Sequence, residues 1–218
     1  MRQIIKSLFL IVLVALAVSA QDAMDSLKAI DFSKTSLKQS QVQKLSPEDL
    51  KLLRGIIFGR HGRVFKDYDI KAYLEEQSWY KPNPDFKNSM LNDIERQNLD
   101  IIRIAEAAKH ETIQPGDMRY WRNRQITQKK LGKHSGAEWK VLLAEVEAIH
   151  GKRFDDEPWL QTYFEERYWY SANDKYDAKK LTAIERKNLE ILSGAQKKQR
   201  KVAILPGDMQ FFENKTIT

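Results

Sequence analysis

Two histidine–glutamate pairs recur at matching positions of the sequence and are its strongest candidates for chemistry. His61 precedes Glu95, and His150 precedes Glu185 after nearly the same interval. An imidazole and a carboxylate that lie together can act as general base and general acid, and an imidazole can also ligate a metal ion. No second histidine stands at a ligand spacing from either one, so the sequence predicts neither a metal site nor another cofactor.

The two histidines also have a structural interpretation. Each lies on the apolar side of a predicted helix and is followed by a glycine, Gly62 or Gly151. A glycine there is typical of a helix end, because it takes the left-handed conformation readily. An imidazole at that end can hydrogen-bond the last carbonyl oxygens of the helix and favours its dipole when protonated. We favour this interpretation for His61 and His150.

The two glutamates fit capping boxes. Glu95 follows Asn92 by three residues, and Glu185 follows Thr182 by three residues. In a capping box, the side chain of the first residue and that of the acid each accept the other's backbone N–H. This position explains both acids without chemistry, so the sequence predicts no catalytic residue. The alternative is a hydrolase of an envelope polymer that uses His61 with Glu95.

Basic and aromatic side chains near the repeated histidines form a candidate binding set. Arginine binds anionic groups, and tryptophan or tyrosine can stack on sugar rings, although aromatic residues at helical spacing more often belong to a core. The second copy has Ile149 in place of Arg60, which weakens the case for an anion site shared by both copies. The candidate binding residues are Arg60, His61, Arg63, Trp79, Tyr80, Lys152, Arg153, Trp169 and Tyr170.

Three helices are predicted around these residues in each copy. The first begins at the N-cap Ser46, or Ser135 in the second copy, and carries apolar residues at helical spacing up to the histidine. The second is predicted from near Asp69 to Tyr80 and, in the other copy, from Pro158 to about Tyr170. The third begins with the capping boxes. A Pro-Gly type II turn and a short extended segment are predicted after each set.

The fold class is therefore mainly α, with two tandem three-helix units. We expect a signal peptide at 1–20, a polar leader at 21–45 that is flexible or loosely helical, and a first unit at 46–127. A linker at 128–134 and a more divergent second unit at 135–218 follow.

The N-terminus predicts export. Arg2 and Lys6 precede a short apolar run, and Val18-Ser19-Ala20 offers a cleavage site, which is the pattern of a signal peptide. Cleavage lowers the formal net charge from +7 to +5. The chain has no cysteine, so it has neither a disulfide nor a thiolate metal site. A mildly basic exported protein favours anionic envelope polymers as partners over nucleic acid.

Three stretches recur in both copies. They are Arg60-His61-Gly62-Arg63-Val64-Phe65, Trp79-Tyr80-Lys81-Pro82-Asn83-Pro84 and Ile94-Glu95-Arg96-Gln97-Asn98-Leu99, with counterparts at 150–154, 169–170 and 184–189. Together these anchors resemble the YARHG domain, a small bacterial domain of exported or envelope-associated proteins. The first copy matches over about 46–105 and the second over about 135–192, although Phe58-Gly59 replaces the Tyr-Ala of the motif. The resemblance implies a location and a fold, and no catalytic activity. The sequence thus favours a periplasmic or secreted binding or structural module of the cell envelope, whose partner is an anionic polymer or another exported protein.

Overall fold

The computed structural model describes residues 24–199, and these residues contain helices and turns but no β-strand. The mainly α fold class is thereby confirmed. The chain divides into two compact units between Glu106 and Ala107. The signal peptide expected at 1–20 and the second Pro-Gly turn with its extended segment, at 204–218, lie outside the described residues.

The described part of unit 1, from residue 24 onward, contains five α-helices. A helical turn, α1, covers residues 24–28, and a second turn, α2, covers Gln39–Val42. The longer helices are α3 (Pro47–Gly59), α4 (Tyr68–Glu75) and α5 (Asp93–Lys109), with a 3₁₀ turn at Asn88–Met90 before α5.

Unit 2 repeats this order. The helical turn α6 covers Met118–Trp121, and a 3₁₀ turn at Gln128–Lys130 follows it. The longer helices are α7 (Gly136–Ala148), α8 (Pro158–Glu165) and α9 (Ala183–Gln199), with a 3₁₀ turn at Ala178–Lys180. Helices α7 and α9 pack against each other, and α6 packs on α7.

The predicted starts of the first and third helices agree with the structure. The Ser46 hydroxyl accepts the backbone N–H of Asp49, and the Ser135 hydroxyl accepts that of Glu138. The second helix, however, ends earlier than the sequence predicted: α4 and α8 stop at Glu75 and Glu165. Trp79-Tyr80 and Trp169-Tyr170 therefore lie in the turns that follow these helices.

The segment before the first long helix of each unit is part of the fold. Residues 24–45, expected to be a flexible or loosely helical leader, bury six apolar side chains in unit 1. Burial of this much apolar surface stabilises an ordered segment whose only regular secondary structure is the two short helical turns α1 and α2. The buried side chains are Met24, Leu27, Phe32, Leu37, Val42 and Leu45.

A buried asparagine of α5 holds this segment. The Asn98 side chain is 0% exposed. Its oxygen accepts the backbone N–H of Leu37 at 2.7 Å. Its amide group donates to the carbonyl oxygens of Phe32 at 3.0 Å and Thr35 at 2.8 Å. One side chain thus satisfies three main-chain groups that no helix or sheet would satisfy. We call this arrangement the asparagine clamp.

Unit 2 has the same clamp. The oxygen of Asn188 accepts the backbone N–H of Ile126 at 2.8 Å. Its amide group donates to the carbonyl oxygens of Trp121 and Arg124. The segment that it holds, 113–127, was expected at the end of the first unit and as an extended chain. It lies in unit 2 and includes the helical turn α6.

The Pro-Gly turn before α6 has the predicted geometry. The N–H of Asp117 donates to the carbonyl oxygen of Gln114 at 3.0 Å, and Gly116 between them has a φ of 104°. A type II turn requires this positive φ at its third residue.

Small residues allow the second helix of each unit to approach the first. In unit 1, a Cβ atom added to Gly59 would lie 2.5 Å from a Leu74 methyl group, so the glycine makes room for α4. In unit 2, Ala148 stands at the matching position and packs in the same apolar cluster as Phe164. These close contacts fix the end of each first helix, where the histidine lies.

Candidate functional site: the histidine–glutamate cleft

The structure brings His61 and Glu95 into direct contact. The end of α3 positions the histidine, and the first turn of α5 positions the glutamate. His61 Nε2 lies 2.7 Å from Glu95 Oε1, and the two side chains are 25% and 3% exposed. The other oxygen, Oε2, accepts the backbone N–H of Asn92 at 2.9 Å. Glu95 is therefore both the predicted capping acid and the partner of the histidine.

The His61 imidazole was predicted to bond the last carbonyl oxygens of its own helix, but main-chain N–H groups bond these oxygens instead. The N–H of Gly62 donates to the carbonyl oxygen of Gly59 at 2.8 Å, and that of Arg63 donates to Phe58 at 3.3 Å. These bonds form because Gly62 has a φ of 79°, in the left-handed region. Since the backbone closes the helix, the His61 imidazole bonds to the glutamate of α5 instead.

An open cleft of about 390 Å³ lies beside this pair in unit 1. Arg60 at its edge is exposed, and its guanidinium carbon lies 3.8 Å from the centre of a Trp79 ring. Such a cation–π contact contributes about 0.5–1 kcal/mol at an exposed site and orients the guanidinium. The cleft is lined by Ala29, Ile30, Asp31, Phe32, Ser33, Arg60, His61 and Glu95.

Asp31 is an ionised acid at this cleft. Hydrogen bonds from the Ser33 and Lys34 side chains lower the pKa of its carboxyl to about 2. The Lys34 ammonium lies 3.1 Å from this carboxylate and balances its charge. The Arg60 guanidinium is therefore the cationic group that the cleft presents.

Unit 2 repeats the pair and adds a cation to it. His150 Nε2 lies 2.8 Å from Glu185 Oε1, and the backbone N–H of Thr182 donates to Oε2 at 2.8 Å. The Arg122 guanidinium, from the clamped segment, donates from Nε to the same Oε1 at 3.2 Å. Burial alone raises the pKa of Glu185, but the hydrogen bonds from Thr182 and His150 outweigh it, so this pKa lies below its ordinary value.

The lowered pKa of Glu185 predicts an acid-dependent loss of stability. A carboxyl whose folded pKa is depressed stabilises the fold fully above its unfolded pKa and loses this contribution as the pH falls through the folded value. We expect Glu185→Gln to lower the free energy of unfolding at about pH 7, and the difference from the unsubstituted protein to shrink below about pH 4.5. Urea titrations at several pH values measure it. An equal difference at about pH 3 would contradict the prediction.

Arg63 and Tyr80, two predicted binding residues, lie within the fold of unit 1. The Arg63 guanidinium carbon is 4.6 Å from the Phe58 ring centre, and the Phe65 and Phe86 rings are also near. The Tyr80 hydroxyl donates to the carbonyl oxygen of Arg63 at 3.2 Å. Neither residue lines the cleft, whereas Arg60 and His61 do.

The predicted basic residues of unit 2 are paired with acids. The Lys152 ammonium lies 2.6 Å from the Glu147 carboxylate, and the Arg153 guanidinium contacts Asp155 at 3.3 Å. Their charges are therefore balanced by neighbouring carboxylates, whereas Arg60 has no such ion pair among residues 24–199. The Tyr170 hydroxyl donates to the carbonyl oxygen of Lys152 at 2.8 Å, as Tyr80 does in unit 1.

Trp169, the last of the predicted binding residues, packs at the edge of the unit 2 core. Its ring centre is 5.9 Å from that of Phe164. The Arg119 guanidinium carbon lies 5.9 Å from the Trp169 ring centre. This arginine comes from the clamped segment, whereas the one over Trp79 comes from the end of α3.

The sequence analysis missed the asparagine clamp and Arg122. Asn98 and Asn188 recur within helices, where asparagine is a poor helix former, and this recurrence was the available signal. Arg122 has no counterpart in unit 1, where Ser33 stands at its position, so no repeat pointed to it. Within residues 24–199, no cluster of three potential metal ligands occurs.

None of the described helices has both the length and the apolar character needed to cross a membrane. Comparison with curated proteins and with solved structures gave no match. The family model of the YARHG domain matches residues 27–107 and 117–197, which together cover most of the chain. These spans include both asparagine clamps and both histidine–glutamate pairs, and the chain therefore belongs to the YARHG domain family, with two copies of the domain in tandem.

Proposed function

We propose that this protein is an exported, non-catalytic binding module of the bacterial cell envelope, and that its unit 1 cleft binds an anionic envelope polymer. The observation that carries the proposal is the stacked Arg60. Its guanidinium carbon lies 3.8 Å from the centre of a Trp79 ring at the edge of the cleft, and it pairs with no carboxylate among residues 24–199. A guanidinium fixed in this way presents several N–H donors to a carboxylate or phosphate group.

The contacts of Glu95 favour binding over catalysis. One of its oxygens contacts His61, and the other accepts the backbone N–H of Asn92. One carboxylate oxygen thus joins α3 to α5, and the other closes the capping box at the start of α5. A residue with this role is a weak candidate for a general acid, because protonating it would weaken the capping box. The pair serves to fix the cleft.

Export and family membership support the proposed location. The predicted signal peptide directs the chain out of the cytoplasm, and the YARHG domain is typical of exported bacterial proteins. After its removal the chain keeps a formal net charge of +5. A positive protein is attracted to anionic polymers, and this attraction weakens as salt increases. Another exported protein with an acidic surface is the second possible partner.

Co-sedimentation tests the proposal. The mature protein, residues 21–218, is mixed at low salt with purified cell-wall and lipidic envelope fractions. We expect retention by an anionic fraction, and we expect Arg60→Ala to weaken it about tenfold, which is the loss expected for one charged contact. Arg153→Ala is the matched control, because Arg153 is an exposed arginine that lies against Asp155. No retention of the unsubstituted protein, or equal losses in both variants, would refute the proposal.

A hydrolase is the second candidate function. The observation that favours it is that His61 and Glu95 both line the open cleft, at 2.7 Å from each other. A carboxylate that holds an imidazole in one orientation is an arrangement that general-base catalysis uses. This candidate predicts turnover of an envelope polymer that His61→Ala abolishes, whereas the binding proposal predicts no turnover.

A further inference from the structure

The side chains around the histidine–glutamate pair differ in size between the two units. Three positions of the unit 1 cleft carry larger residues at the matching positions of unit 2. Ala29 corresponds to Met118, Asp31 to Tyr120, and Ser33 to Arg122. All three replacements lie in the segment that the asparagine clamp holds. The space that is open beside His61 and Glu95 is therefore bordered by bulkier side chains in unit 2.

Arg122 makes a contact that no residue of the unit 1 cleft makes. Its Nε donates to Glu185 Oε1, the oxygen that also contacts His150. In unit 1, Ser33 instead donates its hydroxyl to Asp31 at 2.6 Å and leaves the pair open to the cleft. Arg122 thus lies over the histidine–glutamate pair of its own unit, with 46% of its side chain still exposed.

The other replacements in unit 2 also weaken the expected binding of an anionic group there. Ile149 stands where unit 1 has Arg60, so the arginine at the end of the first long helix is absent. The charge of Arg122 is balanced by a glutamate that is only 2% exposed. Arg119 reaches Trp169 at 5.9 Å, a looser contact than the 3.8 Å between Arg60 and Trp79. Unit 2 therefore offers a weaker anchor for an anionic group.

We propose that Arg122 is an internal occupant that closes the cleft of unit 2, so that the anionic ligand binds in unit 1 only. This inference rests on the proposed binding function and specifies its stoichiometry. In this chain, the difference between Ser33 and Arg122 at matching positions accounts for the difference between the two units. The second unit keeps the histidine–glutamate pair for its structural role.

Reciprocal substitutions test the proposal. The probes are a soluble oligouronate, which carries carboxylates, and inorganic polyphosphate, which carries phosphates; calorimetry measures affinity and stoichiometry. We expect the unsubstituted protein to bind about one equivalent, and Ser33→Arg to weaken binding at least about tenfold. Ser33→Ala is the matched control and should bind normally, and circular dichroism verifies that each variant is folded. The double variant Arg122→Ser with Ile149→Arg should gain a second site.

Two outcomes of the titrations would overturn the proposal. One is binding of about two equivalents by the unsubstituted protein, and the other is normal affinity in a folded Ser33→Arg variant. The probe that binds more tightly shows whether the anionic group of the ligand is a carboxylate or a phosphate. This result does not affect the proposal that the ligand binds in unit 1 only.

A ligand-free measurement separates this inference from the proposed function. In ¹⁵N spectra, the Arg122 Nε–H should exchange slowly with water, because it is bonded to a buried carboxylate, and Glu185→Gln should accelerate this exchange about tenfold or more. If neither probe binds, the proposed function fails, but this measurement still shows whether the Arg122 Nε–H is bonded to Glu185. An exchange rate that Glu185→Gln leaves unchanged would overturn the closure of the unit 2 cleft.

Discussion

Asn98→Ala is expected to lower the free energy of unfolding by about 3–5 kcal/mol, because it leaves three main-chain groups without their partner. The side chain accepts one backbone N–H and donates to two carbonyl oxygens, and it is fully buried. Each buried polar group that loses its hydrogen bond costs about 1–3 kcal/mol. Urea titration followed by circular dichroism measures the change.

Gln97→Ala is the control for this prediction. Gln97 is the neighbouring residue of α5, its side chain is exposed, and it lies outside the clamp. We expect a change within about 0.5 kcal/mol, as for other surface substitutions. If Asn98→Ala were no more destabilising than Gln97→Ala, the clamp would not be what holds residues 24–45 in place.

Gly151→Ala is expected to destabilise the protein by about 3 kcal/mol or more, whereas Gly194→Ala should stabilise it by up to about 1 kcal/mol. Gly151 has a φ of 84°, and an added Cβ would lie 2.7 Å from the carbonyl oxygen of Ser171 and 2.6 Å from the Asn173 Cβ. Main-chain atoms cannot move aside as a flexible side chain can. The backbone bond from Asn173 to the carbonyl oxygen of Gly151 would also be strained.

Gly194 is a matched control because it lies in α9 of the same unit and has no atom within 4 Å of an added Cβ. Alanine is favoured over glycine inside a helix by about 1 kcal/mol. Thermal or urea unfolding of the two variants should therefore show changes of opposite sign. A Gly151→Ala variant as stable as the unsubstituted protein would show that the helix end does not require a left-handed residue.

The features that the sequence predicted correctly are local ones. Ser46, Pro47 and Asp49 mark the start of α3 within four residues, so their pattern is sufficient to identify an N-cap. Gly62 and Gly151 mark the helix ends for a similar reason, since a single residue has to adopt a positive φ. Each of these signals depends only on near neighbours in the chain.

The features that the sequence did not reveal depend on contacts between distant residues. Leu37 and Asn98 are 61 residues apart, and the segment around Leu37 has no helical or strand periodicity. A polar, aperiodic stretch is typical of a flexible leader, although here its few apolar side chains are buried. The contact between His61 and Glu95 also joins residues that are far apart in the sequence. The sequence therefore favoured a local partner for the imidazole, namely the last carbonyl oxygens of its own helix.

The sequence repeat did not indicate how the two units differ beside the histidine–glutamate pair. Ile149 in place of Arg60 indicates a weakened shared anion site, and this stays a prediction. The position that explains the difference, however, is Arg122 opposite Ser33. Arg122 lies in the segment 113–127. The alignment of this segment with residues 24–37 becomes evident only from the structure, in which an asparagine clamp holds each of the two segments.

The most direct test of the central claim is the release of soluble fragments from an envelope polymer to which the mature protein is bound. The claim is that the His61–Glu95 pair fixes a binding cleft and does not perform catalysis. If the protein is a non-catalytic binding module, we expect the unsubstituted protein to remain bound through Arg60 and no new chain ends of the polymer to appear over time. Steady release of fragments by the unsubstituted protein, abolished in His61→Ala, would contradict it.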